Sequence, residues 1–294
     1  MKENNKITVI VPCYNEAENI PKVIPEVITY CEKMNWKLIV VNDGSKDDSK
    51  NQLMKFSSNC YMVINHKLNR GYGGAIKTGI QQADTEWVVT IDSDGQHNIE
   101  DISRLLEKAE ETDADMVVGS RMNHKAASLY RGIGKFFIRK FAKIFIPHNI
   151  SDINSGMKLY KRNLALKFIA LCPNNMAYSD IILFFFLYDH HLVIEENISI
   201  NTRIGGKSTI SIKTAIETIL ETINIIILFR PMRFFLPISF CLFLFGIFWA
   251  IIRYFQSFQL STGSSFLIIT SLILFLMGLI TEQITRLRKD LWRK

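Results

Sequence analysis

Disulfide-forming pairs are missing from this chain of 294 residues: its five cysteines, Cys13, Cys31, Cys60, Cys172 and Cys241, are odd in number and show no C-x-x-C spacing. All five read as free thiols of a reducing compartment. An apolar leader is missing too. Met1 to Lys6 is polar and runs straight into the first apolar stretch, so no cleavable signal is expected and membrane insertion would rest on later segments. The chain has no internal repeat, no low-complexity tract and no DNA- or RNA-binding motif. Its net charge of +7 is therefore read as pointing to an anionic partner other than nucleic acid. The G-x-G-x-x-G dinucleotide fingerprint is absent, and the sequons at Asn149 and Asn197 read as accidental in a cytoplasmic domain.

What the chain has instead is a series of short apolar runs that end in polar residues. Ile7 to Val11 reads as a buried parallel strand, followed by Pro12, Cys13, Tyr14, Asn15 and Glu16 and then a helix from about Asn19 to Cys31. Leu38 to Val41 is a second strand ending in Asn42, Asp43, Gly44 and Ser45, so polar groups from two strand ends face one crevice. After a third run, Met62 to Asn65, the turn Asn69 to Gly74 leads into a helix near Ala75 to Ala83. Gly71 in that turn would let backbone approach a ligand closely. The most informative stretch is Ile91 to His97, I-D-S-D-G-Q-H, where Asp92 and Asp94 emerge as the apolar run Trp87 to Ile91 opens into a loop. A carboxylate pair at a strand end suits a hard divalent cation that holds a diphosphate. Ordinary turns use the same residue types.

The C-terminal part reads as membrane-embedded. Phe234 to Ile252 carries no charge and holds 13 Phe, Leu or Ile residues, roughly 4 to 8 kcal/mol of favourable insertion before polar penalties. A second apolar run, Phe266 to Ile280, reaches spanning length with its flanks. Arg230 and Arg233 precede the first span, and Arg286, Arg288, Lys289, Arg293 and Lys294 follow the second, while only Arg253 lies between. Both termini should therefore be cytoplasmic. Upstream, Ile210 to Leu228 has apolar residues at helical spacing with Glu217 and Glu221 elsewhere on the wheel, as in a helix lying flat at the interface. The stretch from Arg121 to Lys143 interleaves seven cations with Phe136, Phe137, Ile138 and Phe141. It reads either as a basic amphipathic helix on an anionic membrane or as a solvated helix packed on the domain.

Five segments in order, P-C-Y-N-E, V-N-D-G-S-K-D, N-R-G-Y-G-G-A, D-S-D-G-Q-H and G-S-R, resemble the ordered motifs of family 2 glycosyltransferases with the GT-A fold. Within that family D-I-N-S-G-M-K-L-Y, from Asp152 to Tyr160, and R-I-G-G-K-S-T, from Arg203 to Thr209, resemble the polyprenyl-phosphate branch. The resemblance implies an α/β fold: a GT-A Rossmann-like, mostly parallel sheet with amphipathic juxtamembrane helices and a C-terminal two-helix transmembrane hairpin. The expected organisation is a catalytic domain over 1–209, with a basic acceptor- or membrane-facing segment at 121–150. A juxtamembrane helix at 210–230 follows, then spans at about 234–252 and 264–284 within 231–294, ending in a basic cytoplasmic tail. The whole is expected to be an integral protein of the cytoplasmic membrane, with a homo-oligomer through the hairpins as a further expectation.

The resemblance also implies a chemistry: inverting transfer of a sugar from a UDP- or GDP-sugar to an undecaprenyl or dolichyl phosphate. Asp92, Asp94 and the neutral oxygen of Gln96 would hold Mg²⁺ or Mn²⁺ against the diphosphate. Pro12, Tyr14, Asn15 and Glu16 would line the nucleoside pocket, and Asp43 would accept hydrogen bonds from base or ribose. Family relatives often have two aspartates where this chain has Asn42 and Asp43. The acceptor phosphate is already anionic, so positioning should matter more than a strong base. Arg121 and Arg131 are candidates to grip it, because guanidinium offers a planar fork for phosphate oxygens. Arg203, by resemblance, would reach either phosphate group, with Ser208 nearby beyond Gly205 and Gly206. Asp152 either orients acceptor or sugar, or caps the following turn. Three other readings stand beside this one: a lipid hydroxyl acceptor such as diacylglycerol, a polysaccharide synthase, and a non-catalytic nucleotide-binding scaffold. The synthase reading lacks its Q-x-x-R-W motif, since Gln283 to Leu287 reads Q-I-T-R-L.

Overall fold

The computed structural model describes residues 6–121, 150–201, 223–224, 227–257 and 261–292. These fall into two compact units, one carrying the described residues up to 201 and the other the described residues from 223 onward. Residues 122–149 and 202–222, which hold most of the expected segments 121–150 and 210–230 together with Arg131, Arg203 and Ser208, lie outside the described residues.

In the first unit, strands and helices alternate as β1 (Ile7–Cys13), α1 (Ile20–Met34), β2 (Lys37–Asn42), α2 (Ser49–Leu53), β3 (Tyr61–Asn65), α3 (Tyr72–Gln82), β4 (Trp87–Thr90), α4 (Asp101–Thr112) and β5 (Met116–Ser120). There follow β6 (Lys158–Lys161), α5 (Arg162–Phe168), α6 (Tyr178–Tyr188) and β7 (Val193–Asn197). Every residue of β1 and of β4 is buried, which is why both read as unbroken apolar runs: helices cover a parallel strand on its two faces. The strands extend a residue or two beyond the apolar runs at several ends, because pairing with a neighbour carries Cys13 and Asn42 into the ladder. Asn35 closes α1 in the left-handed conformation at φ 54°, its amide bonding back to Cys31 and Glu32.

The seven strands run in the order β3-β2-β1-β4-β6-β5-β7. All neighbours are parallel except those of β6, which runs against both β4 and β5. That inversion brings the N-terminal end of β6, where Lys158 pairs with Thr90, to the same sheet edge as the C-terminal ends of the other strands. The chain order reverses at β1, flanked by β2 and β4, so a crevice opens outside these strand ends. Phe184, Phe185 and Phe186 of α6 are buried, and Phe185 stacks on Phe168 at 5.4 Å between ring centres. The triplet is packed into the core.

The second unit contains α7 (Pro231–Ser257) and α8 (Thr262–Trp292). Within them, Pro231–Gln256 and Thr262–Arg288 are long and apolar enough to cross a membrane, so the apolar helices extend a few residues beyond the runs read from sequence. Outward side chains such as Phe240, Phe248, Phe255 and Phe266 are exposed. Two glycines mark where the helices approach: a Cβ at Gly246 would lie 2.9 Å from Ile268, and one at Gly278 would lie 2.8 Å from Phe235.

The seat of α3 on the sheet also depends on a missing side chain. A Cβ at Gly79 would lie 2.5 Å from Cγ2 of Ile10 on β1. Gly79→Ala should therefore overpack this contact and cost about 1–3 kcal/mol, read as a fall of several degrees in the thermal midpoint of the detergent-solubilised protein.

Candidate active site

Beyond β1 and β2, two loops are laced together by side chains. Asn15, in left-handed backbone at φ 55°, donates its amide to Ser45 Oγ at 3.0 Å and accepts the Lys46 amide at 2.8 Å. The Glu16 amide donates to Ser49 Oγ at 2.9 Å, and the Ala17 amide to Asp47 Oδ2 at 3.1 Å. Tyr14 stands exposed beside them. Pro12 differs from the other residues expected here, since it is a buried member of β1 paired with Val41. Burial, reinforced by Glu16 and Asp47, pushes the Cys13 thiol up to about 12, which keeps it protonated and unreactive.

Asp43 is buried, and its carboxylate accepts from His66 Nδ1 at 2.7 Å and from the amides of Arg70 and Gly71 at 2.8 Å each. Three of the roughly four lone-pair sites of a carboxylate are thereby used by the chain itself. Asp43 thus anchors the turn at Asn69 to Gly74. The close approach that Gly71 permits, at φ 87°, is taken by the carbonyl of Asn174, and Gly73 meets the carbonyl of Pro173. In the structure these glycines admit a neighbouring stretch of the same chain. Asn42 explains its own identity: it donates from Nδ2 to Asn65 at 2.8 Å and accepts the Ser45 amide at 3.2 Å. A carboxylate could accept but not donate.

The loop after β4 presents its carboxylates between two supports. Asp92 Oδ1 accepts from the Tyr72 hydroxyl at 3.1 Å, and the Asp92 amide donates to His97 Nδ1 at 3.1 Å. Gly156 lies flat against the same carboxylate, so a Cβ there would come within 2.9 Å of Asp92 Cγ. Asp94 Oδ1 accepts the Gln96 amide at 3.1 Å across Gly95 in left-handed backbone at φ 74°. Burial lowers the pKa of His97 against the opposing pull of Asp92 and Asp94, in keeping with a ring nitrogen that accepts a backbone N–H. On its far side the loop is tied down by the Asn201 amide, which donates to the Gln96 carbonyl at 2.9 Å.

Hard carboxylate oxygens on Asp92 and Asp94 are the donors Mg²⁺ and Mn²⁺ prefer, and the cradle over Gly156 fits that purpose. Among the described residues no three His, Cys, Asp or Glu side chains converge as a closed cage. Mg²⁺ sites of the phosphate-binding kind use one or two carboxylates and complete the shell with substrate oxygens and water.

Arg121, just past β5, and Asp152 meet each other. Nε donates to Oδ2 at 2.6 Å, Nη2 to Oδ1 at 2.9 Å, and the Arg121 amide to Oδ2 at 3.1 Å. Nη2 also reaches the Asn154 carbonyl at 3.1 Å. Hydrogen bonding to Asp152 raises the pKa of Arg121. Burial alone would raise that of Asp152, but the bonds and charge of Arg121 bring it below the ordinary carboxylate value. In this arrangement the Asp152 carboxylate orients an arginine. It also fills one edge of the guanidinium fork, so Nη1 is the group of Arg121 outside these bonds.

The 150–156 loop is itself held by groups that sequence reading passed over. Glu195 on β7 accepts the amides of Ser151 and Asp152 at 2.7 and 2.8 Å. Lys158, fully buried, donates to the carbonyls of Ile153 and Ser155 at 2.8 and 2.7 Å and to Ser179 Oγ. Burial lowers its pKa to about 8, opposed by the Asp180 and Asp152 carboxylates. Asp180, in the first turn of α6, accepts from the side-chain amide nitrogen of Asn154 at 3.1 Å. A lysine inside the apolar string M-K-L-Y was the one signal available for this cluster. Tyr72 and Glu195 gave none.

Comparison with known proteins bears on this geometry. Residues 8–168, more than half of the chain, match the family described as Glycosyl transferase family 2, and residues 230–287 match the GtrB C-terminal hairpin. Undecaprenyl-phosphate 4-deoxy-4-formamido-L-arabinose transferase of Proteus mirabilis is 33% identical over 165 residues, 54% of this chain and 50% of that protein. Its namesake in Salmonella typhimurium is 31% identical over 162 residues, covering 53% and 49%. The chain matches about half the length of these curated relatives. Among solved structures, glucosyl-3-phosphoglycerate synthase from Mycobacterium tuberculosis, in complex with Mn²⁺, uridine diphosphate and phosphoglyceric acid, superposes with a TM-score of 0.60. It is 17% identical and covers 76% of this chain and 80% of that one. S. aureus TarS 1–349 gives 0.53 at 18% identity, covering 76% and 64%. At such identities the likeness concerns the fold, a mixed sheet with its loops gathered at one edge. The matched residues 8–168 include the sheet reversal at β1 and the acidic loop beyond β4, and the chain belongs to glycosyl transferase family 2.

Proposed function

We propose that this chain transfers a sugar from a nucleotide-sugar, UDP- or GDP-linked, to a polyprenyl phosphate, with inversion at the anomeric carbon and with Mg²⁺ or Mn²⁺. The reaction would take place on the cytoplasmic face of a membrane. One observation carries the reading: an Asp92–Asp94 loop at the switch edge of the sheet in a chain whose apolar helices match the GtrB hairpin. The undecaprenyl-phosphate transferases it matches over about half their length support the acceptor class.

In this mechanism the laced loops beyond β1 and β2 receive the nucleoside, with Tyr14 exposed to it and Asp43 fixing the turn beneath. Asp92 and Asp94 would hold the cation, whose contribution would be to neutralise charge on the departing diphosphate. Gly156 and Tyr72 keep Asp92 in one orientation. The acceptor phosphate is anionic without assistance, so the task on its side is to hold an oxygen in line behind the anomeric carbon. Arg121 serves that task with its position set by Asp152. The attacking oxygen forms the new glycosidic bond as the bond to the diphosphate breaks, and a single displacement inverts the centre.

Radiolabelled UDP- and GDP-sugars offered to the detergent-solubilised protein with undecaprenyl phosphate test this directly. One donor should give an organic-extractable product that requires Mn²⁺ and disappears with EDTA; no lipid-linked product from any donor would sink the acceptor assignment. Asp94→Asn should remove most turnover, whereas a binding scaffold would keep its function. Gly156→Ala, by crowding the Asp92 carboxylate, should weaken Mn²⁺ binding measured by electron paramagnetic resonance and lower turnover by about 10- to 100-fold, with nucleotide binding in the absence of metal unchanged.

A further inference from the structure

Lys158 takes no direct part in the chemistry above, yet its setting is costly. A buried ammonium loses its hydration, and an apolar side chain would fill a strand position without that penalty. Its neighbours in sequence, Met157 and Leu159, are apolar and fully buried. The three N–H donors of Lys158 meet three acceptors, the carbonyls of Ile153 and Ser155 and the hydroxyl of Ser179, and Ser179 donates in turn to the Ser155 carbonyl at 2.8 Å. Two of these acceptors lie in one short loop. At one end of that loop Asp152 sets Arg121; at the other Gly156 lies against Asp92, with its carbonyl taking the Thr90 hydroxyl at 2.7 Å.

We propose that Lys158 is a positioning residue that fixes the separation between the acceptor-phosphate side of the site, Arg121 with Asp152, and the metal side, Asp92. It acts through the loop carbonyls and touches neither substrate. The inference rests on the proposed function. Were Lys158 merely a structural residue, its replacement would lower the folded fraction and leave the turnover of folded molecules alone.

The test compares the full chain with Lys158→Met, with the milder Ser179→Ala, with Asp152→Asn, and with the Lys158→Met/Asp152→Asn double variant. For each, kcat and both KM values, Mn²⁺ affinity by electron paramagnetic resonance and the thermal midpoint are measured. Lys158→Met should lower kcat per folded molecule by about 10- to 100-fold, with both KM values within about threefold. It should also weaken Mn²⁺ binding at least about threefold, and Ser179→Ala should show a smaller loss of the same kind. In the Asp152→Asn background, Lys158→Met should add less than about threefold, since the two act through one loop. Unchanged kcat in folded Lys158→Met, or full multiplicativity in the double variant, overturns the proposal. If Lys158→Met does not fold, Ser179→Ala decides, and unchanged turnover there overturns it as well. A wild-type chain inactive on polyprenyl phosphate counts against the proposed function instead, and the Mn²⁺ affinities of the same variants then decide the role of Lys158.

Discussion

One strand running the wrong way organises this protein. Because β6 is inserted against β4 and β5, the segment entering it arrives at the edge where the parallel strands leave. The loop from Asp152 to Gly156 therefore stands beside the acidic loop after β4 and the arginine after β5. A fully parallel sheet would send that segment to the opposite edge, and Arg121 would have no carboxylate to orient it. The functional edge thus follows from topology before any side chain is considered.

Charge at that edge is managed by pairing and by choice of neutral groups. Arg121 and Asp152 share three hydrogen bonds in a half-buried setting. Such a pair earns little net stability from its desolvated charges but fixes a direction. Beyond β2, Asn42 supplies both a donor and an acceptor to its neighbours, while Asp43 gathers three donors onto one carboxylate. Each residue type follows from the hydrogen-bond count its site demands.

Much of this was legible in the sequence. Buried parallel strands write themselves as apolar runs, and Asp92 and Asp94 were legible because polar residues just past such runs mark the functional edge of an open sheet. The ends of the strands were less legible, since Cys13 and Asn42 join the ladder through partners on other strands. Pairing was hidden as well. Arg121 and Asp152 are 31 residues apart, and Glu195 reaches amides more than forty residues away. Nothing in local pattern links residues at such distances. Gly71 was recognised as a place of close approach, but which group approaches is a tertiary fact: the Asn174 carbonyl.

The loop at the centre of the site is gripped mainly by its backbone. Glu195 takes amide hydrogens and Lys158 takes carbonyl oxygens, atoms every residue but proline supplies in full. The path of the loop is therefore set chiefly by bonds that do not depend on which side chains it carries. A scaffold of this kind separates the holding of a loop from the chemistry that its side chains present.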